Sequence, residues 1–232
     1  HHNWRQWLNK ALNPICPGCQ QPLTEASLCL VCQSFMPIIA LPCPCCGEPD
    51  SNGHQCGRCL KHPSRWDRLY VPWAFEFLVR HLILEFKYQK NFSAGQALVQ
   101  LWHQEVGAVE LPDAFSFVPM THAKQVKRGY NQAQWLSTAF SKQFARPLFK
   151  GVKKVIDTQP LEGLNKRERK KALRDSFLIS APPPAHIAIV DDVFTSGATA
   201  NEMARLLKKA GAQRVDIWVL ARTPLSQKPL GL

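Results

Sequence analysis

Ile187-Ala188-Ile189-Val190-Asp191-Asp192-Val193-Phe194-Thr195-Ser196-Gly197-Ala198-Thr199 decides how the second half of this 232-residue chain folds. The four leading apolar residues read as a buried strand, and Ala198 opens a run of helical spacing that Gly211 stops. Residues 215–220 then read as another strand. Strand, helix, strand predicts a parallel α/β sheet. At the carboxyl edge of such a sheet the strand-to-helix turn lies where ligands bind, with backbone N–H groups and the helix dipole favouring an anion. Thr195, Ser196 and Thr199 add hydroxyl donors, and Gly197 lets the backbone approach closely. A phosphate fits that cradle. Asp191 and Asp192 come just before it, placed to hold hydroxyls or Mg2+ about one sugar length away. Ribose 5-phosphate has that shape.

Two rival nucleotide motifs fail. A P-loop needs G-x4-G-K-S/T, yet no Gly here is followed by Lys, and no two Gly have the G-x-G spacing of a dinucleotide fingerprint. An Asp-Asp helix cap in an unliganded surface turn is the bland alternative.

Outward from this stretch, Phe75, Leu78, Val79, Leu82, Ile83 and Phe86 follow helical spacing, which predicts a core-facing helix with Arg80, Glu85 and Lys87 outside. Further helices are predicted over residues 94–106 and 132–144, with a strand over residues 115–118 stopped by Pro119.

Upstream the character changes. Eight of nine cysteines form four C-x-x-C pairs, Cys16/Cys19, Cys29/Cys32, Cys43/Cys46 and Cys56/Cys59, so that C-x2-C-x9-C-x2-C occurs twice, 27 residues apart. Each knuckle aims two thiolates at one ion, and two knuckles complete the tetrahedral sulfur shell of a closed, structural zinc site. This predicts two structural Zn2+ ions. Consecutive knuckles close short gaps at low entropic cost and are favoured as partners, with a cross-braced exchange as the alternative. Cys45, His54 and His62 are read as non-ligands. A disulfide framework would require an oxidising compartment, and residues 1–10, polar and Trp-rich, do not read as a secretory signal. His1-His2 reads as a tag remnant and is left aside. The division expected is residues 1–64, a tandem four-cysteine zinc-ribbon domain, and residues 65–232, the α/β domain.

Composition excludes other classes. With 45% hydrophobic residues, 12 Gly and 18 Pro, the chain is neither disordered nor collagen-like. Its apolar runs, residues 35–42 and 187–190 among them, fall short of the roughly 18–20 residues of a membrane span. The net charge is +12, and residues 124–174 hold 14 basic and three acidic residues. Such a segment attracts polyanions: phosphorylated metabolites, nucleic acid or an anionic membrane surface. Tyr130 and Trp135 are the nearby rings best suited to base stacking, while Phe140 and Phe144 share a helical face with Leu136 and read as core.

The stretch Asp191-Asp192-Val193-Phe194-Thr195-Ser196-Gly197-Ala198-Thr199 resembles the phosphoribosyl pyrophosphate (PRPP) motif of type I phosphoribosyltransferases. Together with the cysteine knuckles, Val118-Pro119-Met120, Arg128-Gly129-Tyr130-Asn131-Gln132 and Phe86-Lys87-Tyr88, it resembles the competence protein F family, including the GntX-like DNA-utilisation proteins, over residues 14–224. The resemblance implies a type I phosphoribosyltransferase-like sheet flanked by helices. It implies that Asp191 and Asp192 hold the ribose hydroxyls, that Thr195, Ser196, Gly197, Ala198 and Thr199 hold the 5-phosphate, and that Pro119, Met120 and Thr121 form the pyrophosphate turn, with Mg2+ accompanying PRPP. It further implies that residues 162–174 form a mobile loop closing over pyrophosphate, with Arg169 beside Asp191 and Asp192 as catalytic candidates. Ala172 stands where relatives often carry Asn, and Lys124 where Arg is frequent; lysine keeps the charge but loses bidentate phosphate geometry.

The function so implied is an accessory role in natural transformation or use of external DNA. Its expected partners are single-stranded DNA, PRPP or a related phosphoribosyl ligand, and DNA-uptake proteins at the inner membrane. The expected location is the cytoplasm, with peripheral association at that membrane left open. Lys124, Lys127, Arg128, Lys166, Arg167, Arg169, Lys170 and Lys171 are the candidate DNA contacts. Two alternatives stand beside it: an active phosphoribosyltransferase with an unidentified acceptor, and a PRPP-responsive interaction module without catalysis.

Overall fold

The computed structural model describes residues 14–23, 27–49, 51–121, 125–126, 129–155 and 176–223. In chain order the main elements are helices α1 (Leu30–Ser34) and α2 (Gly57–Lys61), strands β1 (Arg68–Tyr70) and β2 (Trp73–Ala74), and helices α3 (Phe77–Tyr88) and α4 (Phe92–Val106). Then come β3 (Ala114–Phe117), α5 (Gln132–Gln143), β4 (Val152–Lys154), β5 (Phe177–Ile179), β6 (His186–Phe194), α6 (Ala198–Lys209) and β7 (Arg214–Arg222). The main sheet has the order β1-β7-β6-β3, with β2 also on β7, and every pairing in it is parallel. β4 and β5 form a separate antiparallel pair.

The predicted parallel α/β sheet is therefore present, with longer central strands than expected. β6 runs through Phe194 rather than ending at Val190, because its pairing with β7 continues to Phe194 opposite Arg222. Asp191 and Asp192 thus sit on a strand, not in a turn. The period of two then sorts side chains between faces. Ala188, Val190, Trp218 and Leu220 pack with α3, α4 and α5 in one core, where Trp102 stacks on Trp218 at 4.3 Å. Ile187, Ile189, Val215, Ile217 and Val219 pack on the other face against α6, whose Ala200, Met203, Ala204 and Leu207 follow the i, i+3, i+4, i+7 stripe.

Two expectations about α3 need correction. Phe75 precedes the helix, which starts at Phe77, although it still packs against the core. Lys87 is not on an outer face: its ammonium reaches the sheet, as described below.

Each cysteine repeat adopts the same local form. Cys29 and Cys56 hold extended backbone (ψ 154° and 157°) as the residues capping α1 and α2, and those helices carry Cys32 and Cys59. The repeats share their cores with the sheet: Cys16 and Cys32 join the α3 and α4 side, and Cys43, Cys46 and Cys59 join the α6 side.

Candidate functional site

The carboxyl end of β6 opens into a cavity of about 60 Å³ whose lining includes Asp191, Thr195, Ser196, Gly197, Ala198 and Thr199, with Val118 from the end of β3. Six of the ten predicted ligand contacts are brought together here. Pro119, Met120 and Thr121 follow β3 directly beside β6, where the Val118 amide donates to the Val190 carbonyl at 3.4 Å. Gly197 takes φ +71°, ψ 8° and precedes the first turn of α6, whose N–H groups have no carbonyl within the helix to donate to. Ser196 Oγ accepts from the Ala198 amide at 3.4 Å.

Strand alternation separates the two carboxylates. Asp191 points to the cavity side, while Asp192 points to the α3 side and takes the Lys87 ammonium at 2.7 Å. Each is tied to the backbone: Asp191 Oδ1 accepts the Asp192 amide at 3.0 Å, and Asp192 Oδ1 accepts the Val193 amide at 2.7 Å. Burial, then repulsion from Asp192, pushes Asp191 up to about 7, even though Lys87 pulls the other way. Burial works against the Lys87 charge, but Asp192 holds the ammonium above the usual lysine range. Asp191 is therefore poised between protonated and anionic near neutral pH.

Lys87 and Arg222 are the residues sequence reading missed. Lys87 lies four residues after the buried Ile83, on the edge of the apolar stripe, and that spacing was a usable signal. Arg222 ends β7, 1% exposed, with Nη1 donating to the Thr195 carbonyl at 2.9 Å. Its signal was a guanidinium directly after the unbroken apolar run of residues 217–221.

Tyr130 and Trp135 are not open stacking platforms. The Tyr130 hydroxyl donates to the Phe86 carbonyl, and burial with Asp192 nearby pushes that phenol up to about 12. Trp135 stacks on Phe92 at 5.7 Å, inside a cluster that includes Phe86. Phe140 is buried as expected. Lys124, Lys127, Arg128, Lys166, Arg167, Arg169, Lys170 and Lys171 lie outside the described residues.

The eight cysteines gather as two tetrads, Cys16-Cys19-Cys29-Cys32 and Cys43-Cys46-Cys56-Cys59, each with its sulfurs within 4.8 Å of one another. Consecutive knuckles are therefore the partners. Cys19 to Cys29 and Cys46 to Cys56 are each 3.6 Å between sulfurs. A zinc–sulfur bond of about 2.3 Å gives a tetrahedral edge of about 3.8 Å, so the donor sets fit zinc. Backbone N–H groups also point at sulfur, Cys32 at Cys29 Sγ (3.4 Å) and Cys56 at Cys43 Sγ (3.3 Å). Burial pushes Cys46 up to about 11 and raises Cys32 and Cys59 as well. Against the same burial, amides led by that of Cys29 hold Cys16 down at about 6, and that of Cys59 holds Cys56 at about 7. Cys45 stands outside the tetrads and donates to Ser64 Oγ at 3.2 Å.

A parallel sheet with an acidic strand end leading into a hydroxyl-rich, glycine-hinged loop is the type I phosphoribosyltransferase arrangement, and residues 118–230 match the phosphoribosyl transferase domain. The chain is 32% identical to competence protein F of Haemophilus influenzae over 226 residues, covering 93% of each chain. It is also 32% identical to the DNA utilization protein YhgH of Escherichia coli over 220 residues, 90% of this chain and 97% of that one. Competence protein ComFC of Streptococcus pneumoniae matches at 29% over 109 residues, 47% of each chain. The chain belongs to the competence protein F family. Among the described residues, no helix is long and apolar enough to cross a membrane.

Proposed function

We propose that this chain is a competence or DNA-utilisation accessory protein of the cytoplasm, binding PRPP with Mg2+ at the β6–α6 loop and single-stranded DNA through the basic segment 124–174. The observation that carries the ligand half is the cavity at the carboxyl end of β6, which joins Asp191 to the amides and hydroxyls of residues 195–199. The 5-phosphate sits on the first turn of α6, where N–H groups and the helix dipole favour negative charge. Asp191 faces the ribose hydroxyls, and Asp192, anchored by Lys87, supports the same edge. Residues 119–121 take the pyrophosphate. One zinc ion in each tetrad ties residues 14–60 to the sheet and would contribute on the order of 10 kcal/mol to folding. In this division residues 1–64 are the zinc unit and residues 65–232 the phosphoribosyl unit.

The DNA half rests on the names of the relatives and on charge: residues 124–174 carry 14 basic and three acidic side chains. Contacts to several phosphates make affinity fall steeply with salt. The charge of this segment also suits DNA-uptake partners at an anionic inner membrane surface. Calorimetric titration with PRPP and Mg2+, beside Asp191→Asn, tests the ligand half: binding in the parent that the variant loses supports it, and no binding in the parent refutes it. A salt titration of single-stranded DNA binding tests the other half, and a flat response refutes it. The matched transferase domain favours a second reading, transfer of the 5-phosphoribosyl group of PRPP to an acceptor with release of free pyrophosphate, which a pyrophosphate assay separates from binding alone.

A further inference from the structure

Two side chains connect the second cysteine tetrad to the loop after β6. Arg222 is the first. Its Nη2 donates to Glu48 Oε2 at 3.0 Å, its Nη1 to the carbonyls of Thr195 at 2.9 Å and Thr223 at 2.7 Å, and its guanidinium lies 5.4 Å from the Phe194 ring centre. Glu48 follows Cys46 by two residues, and its own carbonyl accepts the Cys43 amide at 3.0 Å. The knuckle that aims Cys43 and Cys46 is therefore the turn that presents the carboxylate. Trp66 is the second. Its indole N–H donates to the Cys45 carbonyl at 2.8 Å, inside that knuckle, while its ring packs edge-on to Phe194 at 5.6 Å. The same ring so crowds Gly197 that a Cβ there would come within 2.8 Å of it.

We propose that the second tetrad is a positioning element for the anion loop: Glu48 and the Cys45 carbonyl hold Arg222 and Trp66 against Thr195 and Gly197, so metal in the tetrad and ligand on the loop are coupled. The inference rests on the reading that this loop binds phosphate. The physical basis is that a buried guanidinium needs its counter-charge. Loss of the ion frees the knuckle, which moves Glu48; Arg222 then loses its ion pair, and the Thr195 carbonyl loses a fixed donor. The loop's amides are consequently less well aimed before ligand arrives, and affinity falls. Coupling of this kind is reciprocal, so ligand must also retain the metal. The first tetrad is a built-in comparison, because it packs on the opposite core, where Gly18 lies against Leu78 at the start of α3.

The experiment uses the full zinc-loaded chain exposed to a chelator and an alkylating agent, with mass spectrometry reading each cysteine. Coupled sites typically differ by about 5- to 150-fold, and about tenfold is expected here. Arg222→Gln and the milder Glu48→Gln should each speed alkylation of Cys43, Cys46, Cys56 and Cys59 about tenfold, leave Cys16, Cys19, Cys29 and Cys32 unchanged, and weaken PRPP–Mg2+ binding by a similar factor. In the parent protein, saturating PRPP–Mg2+ should slow alkylation of the second tetrad alone, an effect that a merely structural arginine would not produce. Unchanged alkylation of the second tetrad in both variants overturns the proposal, as does PRPP binding that leaves it unprotected. If the parent binds no PRPP, the phosphate reading fails by itself, and the variants' alkylation still decides whether loop and tetrad are coupled.

Discussion

Gly197→Ala puts the geometry of the loop to a quantitative test. Gly197 lies at φ +71°, and a Cβ added there would stand 2.6 Å from Phe194 Cζ and 2.8 Å from Trp66 Cη2. Left-handed backbone costs an L-residue about 1–2 kcal/mol. Neither ring can retreat freely, since each packs on the other at 5.6 Å and Arg222 covers Phe194. Forcing a methyl into such a space adds about 1–3 kcal/mol, for a total of about 2–5 kcal/mol. At roughly 2–4 °C per kcal/mol for a chain of this size, the melting temperature should fall by about 4–20 °C. Gly53→Ala is the comparison, because Gly53 has φ +74° with nothing within 4 Å and so incurs the backbone cost alone. Thermal unfolding followed by circular dichroism reads both variants. A Gly197→Ala melting temperature equal to that of Gly53→Ala would refute the claim that the two rings press on the loop.

Asp191, raised to about 7, holds its proton in the folded chain across a range where the unfolded carboxyl, near 3.8, has lost it; the folded state binds more protons, so stability falls as pH rises from about 4 to 7 and levels off above. Asp191→Asn should flatten that slope in urea unfolding, by at most about 4 kcal/mol at pH 8, and an unchanged profile would contradict the burial of this group. Lys87→Met leaves the buried Asp192 carboxylate unpaired and should cost about 3 kcal/mol, most of it recovered in Lys87→Met/Asp192→Asn; a simple sum of the two single effects in a double-mutant cycle would deny the pair. Cys59→Ser should lower zinc from two ions per chain to one, while Cys45→Ser should keep both, measured by atomic absorption; a lost ion in Cys45→Ser would place that thiol in the tetrad.

Much of this was readable in the sequence because the signals were periodic. The 27-residue offset of the knuckles carried the composition of both tetrads, and the order of strand and helix around Gly197 carried the parallel sheet. The short edge strands β1 and β2 escaped because three and two residues are too few to show alternation. Arg222 and Trp66 escaped for another reason: Glu48 and Arg222 meet across 174 residues, and no local pattern encodes such a meeting. The acidic pair was legible as chemistry but not as geometry. Adjacent carboxylates look equivalent on paper; once β6 is known to extend through Phe194, the alternation of a strand sends Asp191 to the cavity and Asp192 to Lys87.

The same contrast governs the two tetrads, which have one spacing and one metal chemistry but different neighbours. Between them the chain pairs along the sheet edge: the Ile39 amide donates to the Pro72 carbonyl at 2.8 Å, the Ala74 amide to that of Pro37 at 2.9 Å, and Ile38 bridges Trp73. This crossing delivers the first repeat to the α3 and α4 face and the second to the α6 face. Only the latter face carries Asp191 and the cavity, because on a strand the odd-numbered positions that face α6 include it. A duplicated sequence unit has therefore acquired two unequal positions, one behind the helix that supplies Lys87 and one beneath the loop itself. Loss of metal from the first should loosen the core around Leu28 and Met36, whereas loss from the second should reach Thr195 through Glu48 and Arg222.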